Sequence, residues 1–172
     1  YLDLRVSCNT DVDIVPVVKS GDETAVISAT LTPLFGGESI FVEDVNQITE
    51  PIQLKTGDYK VVATSGVDQG SAAFDAPFYY GESQFTVRNM QMATSEVVCT
   101  LASVKVTAEF SSAFTTSFDY KLIVSNGEAA LEFSEDAGTL DKTAYFHVTD
   151  ELSWTLEVTN VKGEVFTLTE SY

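Results

Sequence analysis

The sequence predicts an all-β protein, and three observations support this fold class. Apolar and polar residues alternate with a period of two in several runs, as half-buried strands require. Residue pairs typical of turns, such as Gly36-Gly37 and Asn126-Gly127, separate these runs. No segment longer than about ten residues shows a helical spacing of apolar positions. We therefore expect two tandem antiparallel β-sandwiches of the Ig-like or transthyretin-like kind, with Greek-key connections.

The first half of the chain contains about seven candidate strands. The clearest alternation lies in residues 1–8, 25–31 and 59–64. A β-branched run at residues 14–18 contains Pro16, which cannot donate a backbone hydrogen bond and is typical of an edge strand. Residues 43–50 mix acidic, amide and isolated apolar side chains, which indicates a crossing connection with a short helical turn.

Residues 54–87 hold the densest sequence of local signals: a turn, a strand, a polar loop over residues 65–75 and a second strand. Residues 88–95 then lack alternation, and this indicates a domain boundary. We expect an N-terminal domain at residues 1–92 and a C-terminal domain at residues 93–172. The second domain contains six candidate strands, one fewer than the first.

The composition excludes several classes of function. The 26 acidic and 9 basic residues give a net charge of −17, which repels phosphate backbones, so we expect no nucleic-acid partner. The chain has no apolar run of the roughly 20 residues that cross a bilayer, so we expect no membrane insertion by this segment. Cys8 and Cys99 allow either a disulfide in an exported protein or two separate buried thiols.

The residues that carry enzyme chemistry are sparse. His147 is the only histidine, and it alternates with Phe146 in a strand, which favours a solvated position over a catalytic one. Two distant cysteines and one histidine do not form a zinc motif, and no loop has the spacing of a dedicated calcium site. We predict no catalytic residue, no cofactor and no metal site.

Three aromatic residues are candidates for contact with a ligand or partner. Tyr79 and Tyr80 follow Pro77 and Phe78, and such rings can stack on sugars or anchor a protein partner. Strict alternation from Phe78 turns Tyr80 inward and Tyr79 outward, which favours core packing for most of this cluster. Trp154 is a further stacking candidate, although it lies in an inward-facing row with Leu152.

Several stretches resemble a known family. Residues 57–63 (GDYKVVA), Gly66, residues 73–81 (AFDAPFYYG) and residues 99–106 (CTLASVKV) resemble an uncharacterised family of Bacteroidetes surface lipoproteins. This family is similar in layout to fimbrillin-type pilus and adhesin proteins. The resemblance covers roughly residues 50–150.

The resemblance implies two tandem β-sandwiches, export, and an outer-membrane lipid anchor on a cysteine upstream of Tyr1. It implies no active site. The chain departs from the pilus pattern because Arg5 lies inside a predicted strand, and no basic residue in an early loop marks a processing site for a maturation protease.

Two hypotheses about function follow. The first is a non-enzymatic cell-surface protein, either a fimbrial or adhesin-like subunit or an accessory component, whose partners are other surface or pilus proteins. A missing strand in the second half would leave unpaired backbone groups beside an apolar groove, which an added strand can fill. The alternative is a carbohydrate-binding module of a surface glycan-uptake system, with Tyr79, Tyr80 or Trp154 against the sugar.

Overall fold

The computed structural model describes residues 2–8, 26–66, 70 and 72–172, and for residues 2–8 it describes the backbone alone. The candidate edge strand with Pro16 lies outside the described residues. Over the described residues the regular secondary structure is almost entirely β-strand, so the all-β prediction is confirmed. The helical segments that it contains are one short helix, α1 (Ser112–Thr115), and one 3₁₀ turn (Val45–Gln47).

The strands are numbered in chain order. They are β1 (Leu2–Cys8), β2 (Ile27–Pro33), β3 (Ile40–Val42), β4 (Gly57–Ser65), β5 (Ala72–Phe74), β6 (Tyr79–Val87), β7 (Ala93–Leu101), β8 (Ser103–Val106), β9 (Asp119–Ser125), β10 (Ala130–Ser134), β11 (Ala144–His147), β12 (Ser153–Thr159) and β13 (Val165–Ser171).

The chain divides into two compact units. The first unit contains residues 1–67 and 78–102, and the second contains residues 68–77 and 103–172. This division differs from the boundary at residues 92 and 93 that the sequence suggested. The reason is that residues 93–101 form β7, which pairs within the sheet of the first unit.

The first unit is built on a six-stranded sheet with the order β1-β7-β6-β4-β2-β3. Strands β1 and β7 run parallel, whereas the other neighbouring pairs are antiparallel. Alternation along β2 and β4 buries one face of the sheet, as predicted, and Leu31 and Val61 are fully buried there. The connection after β3 supplies Val45, Ile52 and Leu54, which pack against this core.

The second unit is a seven-stranded sandwich of two antiparallel sheets. One sheet has the order β10-β9-β12-β13 and the other has the order β5-β11-β8. Strand β5 comes from the polar loop at residues 65–75 and pairs with β11. The six strands counted in the C-terminal part of the sequence are therefore joined by one strand that precedes β6 in the chain.

Side chains from both sheets of the second unit form one core. Phe133 of β10 and Phe146 of β11 are fully buried, and the ring of Phe74 from β5 meets that of Phe133 edge-on at a centroid distance of 5.2 Å. Trp154 packs against the same core, which confirms its predicted inward position. Strand β5 thus contributes to the second unit through packing as well as through backbone pairing.

Cys99 is buried in β7, and its thiol lies 3.5 Å from the carbonyl oxygen of Ala63. Cys8 is its partner in the parallel register of β1 and β7. The side chain of Cys8 lies outside the described part of the chain, so the choice between a disulfide and two thiols stays open.

Candidate interaction surface

Strand β13 is the outermost strand of the four-stranded sheet. It pairs with β12 over its full length, from Ser153 opposite Ser171 to Thr159 opposite Val165. No described strand pairs with its other side. All seven of its residues are exposed, including the apolar side chains of Phe166 (57%) and Leu168 (54%).

The backbone groups of β13 divide between its two sides by residue parity. Leu152 and Tyr172 exchange both backbone hydrogen bonds, at 2.8 and 3.2 Å. Hydrogen-bonded and non-hydrogen-bonded pairs alternate along an antiparallel ladder, so Phe166, Leu168 and Glu170 direct their backbone groups toward β12. The N–H and C=O groups of the four odd-numbered residues therefore point away from β12. These residues are Val165, Thr167, Thr169 and Ser171.

The exposed apolar side chains of β13 continue an inner face that is only partly covered. Leu168 lies opposite Leu156 and Phe166 lies opposite Val158, so these four side chains share the face that carries Trp154. Trp154 packs against the core, and Leu156 and Val158 are half-buried, whereas Phe166 and Leu168 are more than half exposed. Burial on this face therefore falls from the middle of the sheet toward β13.

We define the β13 surface as the outward backbone groups of Val165, Thr167, Thr169 and Ser171 together with the side chains of Phe166 and Leu168. Natural sheets protect their edges with short strands, charged side chains or proline. Strand β13 spans seven residues and contains one charged residue, Glu170, and no proline. It therefore lacks the usual protection against strand addition.

The other edge strands that the structure describes are better protected. Strands β3 and β5 contain three residues each. Strand β8 contains four residues, one of them Lys105, and β10 contains five, one of them Glu132. Strand β1 is as long as β13, but its sequence includes Asp3 and Arg5. The combination of length, low charge and exposed apolar side chains is specific to β13 among these edges.

The structure reverses the predicted orientation of Tyr79 and Tyr80. Tyr79 packs against the core of the first unit, whereas Tyr80 is 37% exposed on the outer face of the sheet. The inward phase of β6 is fixed by Phe85, which packs on the core, and by buried Val87. Gly81 lies in the same phase, where a side chain would collide with the carbonyl group of Val98. Counting back from these residues places Tyr79 inward.

Tyr80 belongs to a small polar network on this outer face. Its hydroxyl donates a hydrogen bond to Glu82, and the Lys60 ammonium lies 2.7 Å from the same carboxylate. The hydrogen bond from Lys60 lowers the pKa of Glu82. The hydrogen bond to Glu82 raises the pKa of the Tyr80 hydroxyl. The ring is therefore held beside two charged groups on an exposed surface.

A shallow cavity of about 130 Å³ lies in the second unit beside His147, Asp150 and Tyr172. Its inner wall includes Asn126, which is buried and bonds both to its own loop and to strand β11. The amide group of Asn126 donates to the backbone of His147 and accepts from the backbone of Glu128 and Ala129. The buried polar groups of this cavity thus serve the local fold.

The residues that could ligate a metal ion do not converge within the described ranges. The described residues contain no group of three or more histidine, cysteine, aspartate or glutamate side chains placed to hold a metal ion. His147 is exposed, as its phase opposite Phe146 predicted. None of the helices in these ranges is long and apolar enough to cross a membrane.

These observations define an all-β protein with an open strand edge on a β-sandwich. The chain belongs to the family described as "Domain of unknown function (DUF4493)", whose model matches residues 20–172. No curated protein matches it significantly in sequence.

Two solved structures are similar to this chain. One is a protein from Bacteroides thetaiotaomicron VPI-5482 described as a "putative adhesin", with a TM-score of 0.54 and 12% identity over 96% of this chain and 78% of that one. The other is a protein from Bacteroides ovatus ATCC 8483 with the same description, a TM-score of 0.50 and 9% identity over 98% of this chain and 81% of that one. At these identities the similarity shows the fold.

The sequence predicted β13 as a strand but gave it no role. Val165, Phe166 and Leu168 place apolar side chains on both faces of this strand, whereas Leu152, Trp154, Leu156 and Val158 keep theirs on one face. That loss of strict alternation in a strand with a single charge is the signal that could have drawn attention to it.

Proposed function

We propose that this chain is a non-enzymatic, adhesin-like cell-surface protein that binds a protein partner by strand addition at the β13 surface. The single observation that carries the proposal is the seven-residue edge with outward backbone groups at Val165, Thr167, Thr169 and Ser171. An added strand would satisfy these groups through a main-chain ladder, and its side chains could cover Phe166 and Leu168. Binding of this kind needs no catalytic residue and no cofactor.

Three further observations support a surface role. The two similar solved structures are each described as a "putative adhesin". The net charge of −17 favours solubility in an exported domain. The low charge of β13 contrasts with that composition and leaves one edge on which a neutral strand can dock without strong repulsion.

The location that accompanies this function is the outer surface of the cell. The resemblance to Bacteroidetes surface lipoproteins motivates export and a lipid anchor on a cysteine upstream of Tyr1. Metabolic labelling of the full gene product with a tagged fatty acid tests the anchor. A labelled protein that is accessible to external protease is expected. An unlabelled protein that is protected inside the cell would contradict the proposed location.

The proposed function can be tested with coated beads. Beads that carry the purified chain are passed over layers of Bacteroides cells, epithelial cells and mucin, and the retained fraction is counted. We expect retention on at least one surface. Retention of beads with the Thr167→Pro variant should fall to background, because proline removes an outward backbone donor. The variant should still fold, since proline is tolerated in an edge strand where the N–H faces solvent. No retention of the unaltered chain on any surface would contradict adhesion.

A matched control separates edge pairing from a general change of the surface. Val148 is 59% exposed in the same unit and lies outside the strands, so Val148→Lys should leave retention unchanged. Equal retention of the unaltered chain, Thr167→Pro and Val148→Lys would show that adhesion does not use β13.

A second candidate function, glycan binding, is favoured by the exposed Tyr80 ring beside Glu82 and Lys60. An aromatic face with neighbouring charged groups suits a sugar that presents both C–H and hydroxyl groups. On a glycan array, Tyr80→Ala should abolish a stacking interaction, whereas Tyr80→Phe should retain most of it. Equal binding by the unaltered chain and Tyr80→Ala would exclude this surface as the glycan site.

A further inference from the structure

We propose that the strand that pairs with β13 is β13 of a second copy of this chain, in a two-fold symmetric antiparallel arrangement centred on Leu168. This inference rests on the proposed function, since it names the partner of the β13 surface. A two-fold interface uses the same patch on both subunits, so the patch must be complementary to itself. Backbone parity and side-chain charge can both be checked against that requirement.

The alternating direction of the backbone groups along β13 restricts the register of such a pair. Only odd-numbered residues of β13 direct their N–H and C=O groups outward, so odd residues must pair with odd residues. A symmetric strand pair is then centred on a single residue. Centring on Leu168 pairs Val165 with Ser171 and Thr167 with Thr169, in both directions. All four outward residues of each copy are used in this register.

The neighbouring registers satisfy fewer groups. Centring on Thr167 leaves Ser171 without a partner within β13, and centring on Thr169 leaves Val165 without one. Charge favours the same choice. In the register centred on Thr167, Glu164 of one copy lies opposite Glu170 of the other, and like charges directly opposite each other are destabilising.

In the register centred on Leu168 the two acidic side chains face neutral ones. Glu170 lies opposite Phe166 of the other copy, and Glu164 lies opposite Tyr172. The two Leu168 side chains meet at the symmetry axis as a non-hydrogen-bonded pair, the kind in which side chains approach most closely. Pairing therefore covers part of the apolar surface that β13 exposes in a single chain.

Net charge sets the dependence of this dimer on salt. Two copies that each carry −17 repel one another, and salt screens that repulsion while leaving hydrogen bonds and apolar contacts largely intact. We expect sedimentation equilibrium over a concentration series to show a monomer–dimer equilibrium that shifts toward dimer at high salt. Thr167→Pro and Leu168→Lys should be monomeric at every concentration, and Val148→Lys should dimerise like the unaltered chain.

Cysteine cross-linking tests the register independently. Leu168→Cys places two thiols across the axis, where the Cβ atoms of facing residues lie about 4.5–5.5 Å apart, and small adjustments allow a disulfide. Phe166→Cys places each thiol opposite Glu170 and serves as the control. Under mild oxidation we expect a covalent dimer for Leu168→Cys, with peptide mapping of a 168-to-168 link, and little dimer for Phe166→Cys.

A chain that is monomeric at every concentration and salt level, with no link through Leu168→Cys, would overturn this inference. Equal cross-linking through both positions would overturn the register. The proposed function is judged separately by bead retention. If the chain is monomeric but its beads are retained in a manner that Thr167→Pro abolishes, a strand from a different protein occupies the β13 surface.

Discussion

The outer face of β4 and β6 and the β13 surface are both exposed, but they differ in what their polar groups do. On β4 and β6, side chains bond to one another: Thr86 donates to Asp58 across the strands at 2.6 Å, and Glu82 accepts from Lys60 of β4 and from Tyr80 of its own strand. On β13, backbone groups point away from the sheet and apolar side chains lie next to them. The polar groups of the first surface bond to one another, whereas no described strand bonds to the outward backbone groups of the second.

This difference shows why exposure alone is a poor guide to a binding site. Tyr80 attracts attention from the sequence as an exposed ring, but its hydroxyl already has a partner in Glu82. Phe166 and Leu168 lie beside donors and acceptors that no described strand satisfies. Backbone groups without a partner among the described strands therefore indicate a binding site better than an exposed aromatic ring does.

The largest expected effect comes from comparing two phenylalanines of the second unit. Phe133 is fully buried and Phe166 is 57% exposed. Replacing a buried phenylalanine with alanine costs about 3–5 kcal/mol, so Phe133→Ala should lower the free energy of unfolding by that amount. Phe166→Ala should lower it by less than about 1 kcal/mol, since surface changes are usually small.

Denaturant titration followed by fluorescence of Trp154 measures both values, because this residue is the only tryptophan and packs against the core of the second unit. A loss of unfolding free energy for Phe166→Ala as large as that for Phe133→Ala would show that the apolar side chains of β13 are buried in solution and would contradict an open β13 surface.

A smaller effect is expected from the strand that precedes β6. The edge-on contact between Phe74 and Phe133 makes β5 part of the core of the second unit. Because Phe74 is half-buried, Phe74→Ala should lower the free energy of unfolding reported by Trp154 by about 2 kcal/mol. Phe41→Ala is the control, since Phe41 is 67% exposed in the first unit. An equal loss of unfolding free energy for Phe74→Ala and Phe41→Ala would contradict the assignment of β5 to the second unit.

The smallest effect concerns the polar network on the outer face. The hydrogen bond to Glu82 raises the pKa of Tyr80, so its neutral form is favoured when the chain is folded. The stability that this hydrogen bond contributes is fully present below the ordinary tyrosine pKa, and it is lost as pH rises through the raised pKa of Tyr80. Glu82→Gln should bring the Tyr80 pKa back toward its ordinary value. The signal of Tyr80 alone is obtained by ultraviolet titration with and without Tyr80→Phe, once in the unaltered chain and once in Glu82→Gln, and by taking the difference in each background. An unchanged titration would show that the network does not persist in solution.

The pKa of Glu82 is shifted in the opposite direction, so its effect on stability depends on pH in the opposite sense. Its pKa is lowered by Lys60, so its contribution is present above the ordinary carboxylate pKa and is lost as pH falls through the lowered value. All three side chains are at least a third exposed and are screened by solvent, so the change in stability at either end of the pH range should be small.

The sequence predicted well where periodicity alone decides the structure. The alternation that places Leu31, Val61 and Trp154 inward is local, and the structure places these side chains as expected. The position of β5 was not predictable in this way. Ala72–Phe74 is too short for a periodic signal, and its partner, β11, lies about seventy residues further along the chain.

One turn, the phase of one strand and one sheet edge show the same limit. Asn126-Gly127 predicted a tight hairpin, but the connection spans residues 126–129, because the Asn126 side chain accepts from two backbone groups within it. Alternation from Phe78 predicts an inward Tyr80, whereas Phe85 and Val87 set the phase of the strand and turn Tyr80 outward. The open edge at β13 follows from strand order, which depends on long-range packing and not on any local pattern.

Amide hydrogen exchange of β13, resolved for single residues by NMR, tests the central claim most directly. In dilute solution we expect fast exchange at Val165, Thr167, Thr169 and Ser171 and slow exchange at Phe166, Leu168 and Glu170. At high concentration and high salt, the four odd-numbered amides should become protected as well. Uniform protection along β13 in the dilute monomer would show that the edge is covered within the chain and would contradict the account.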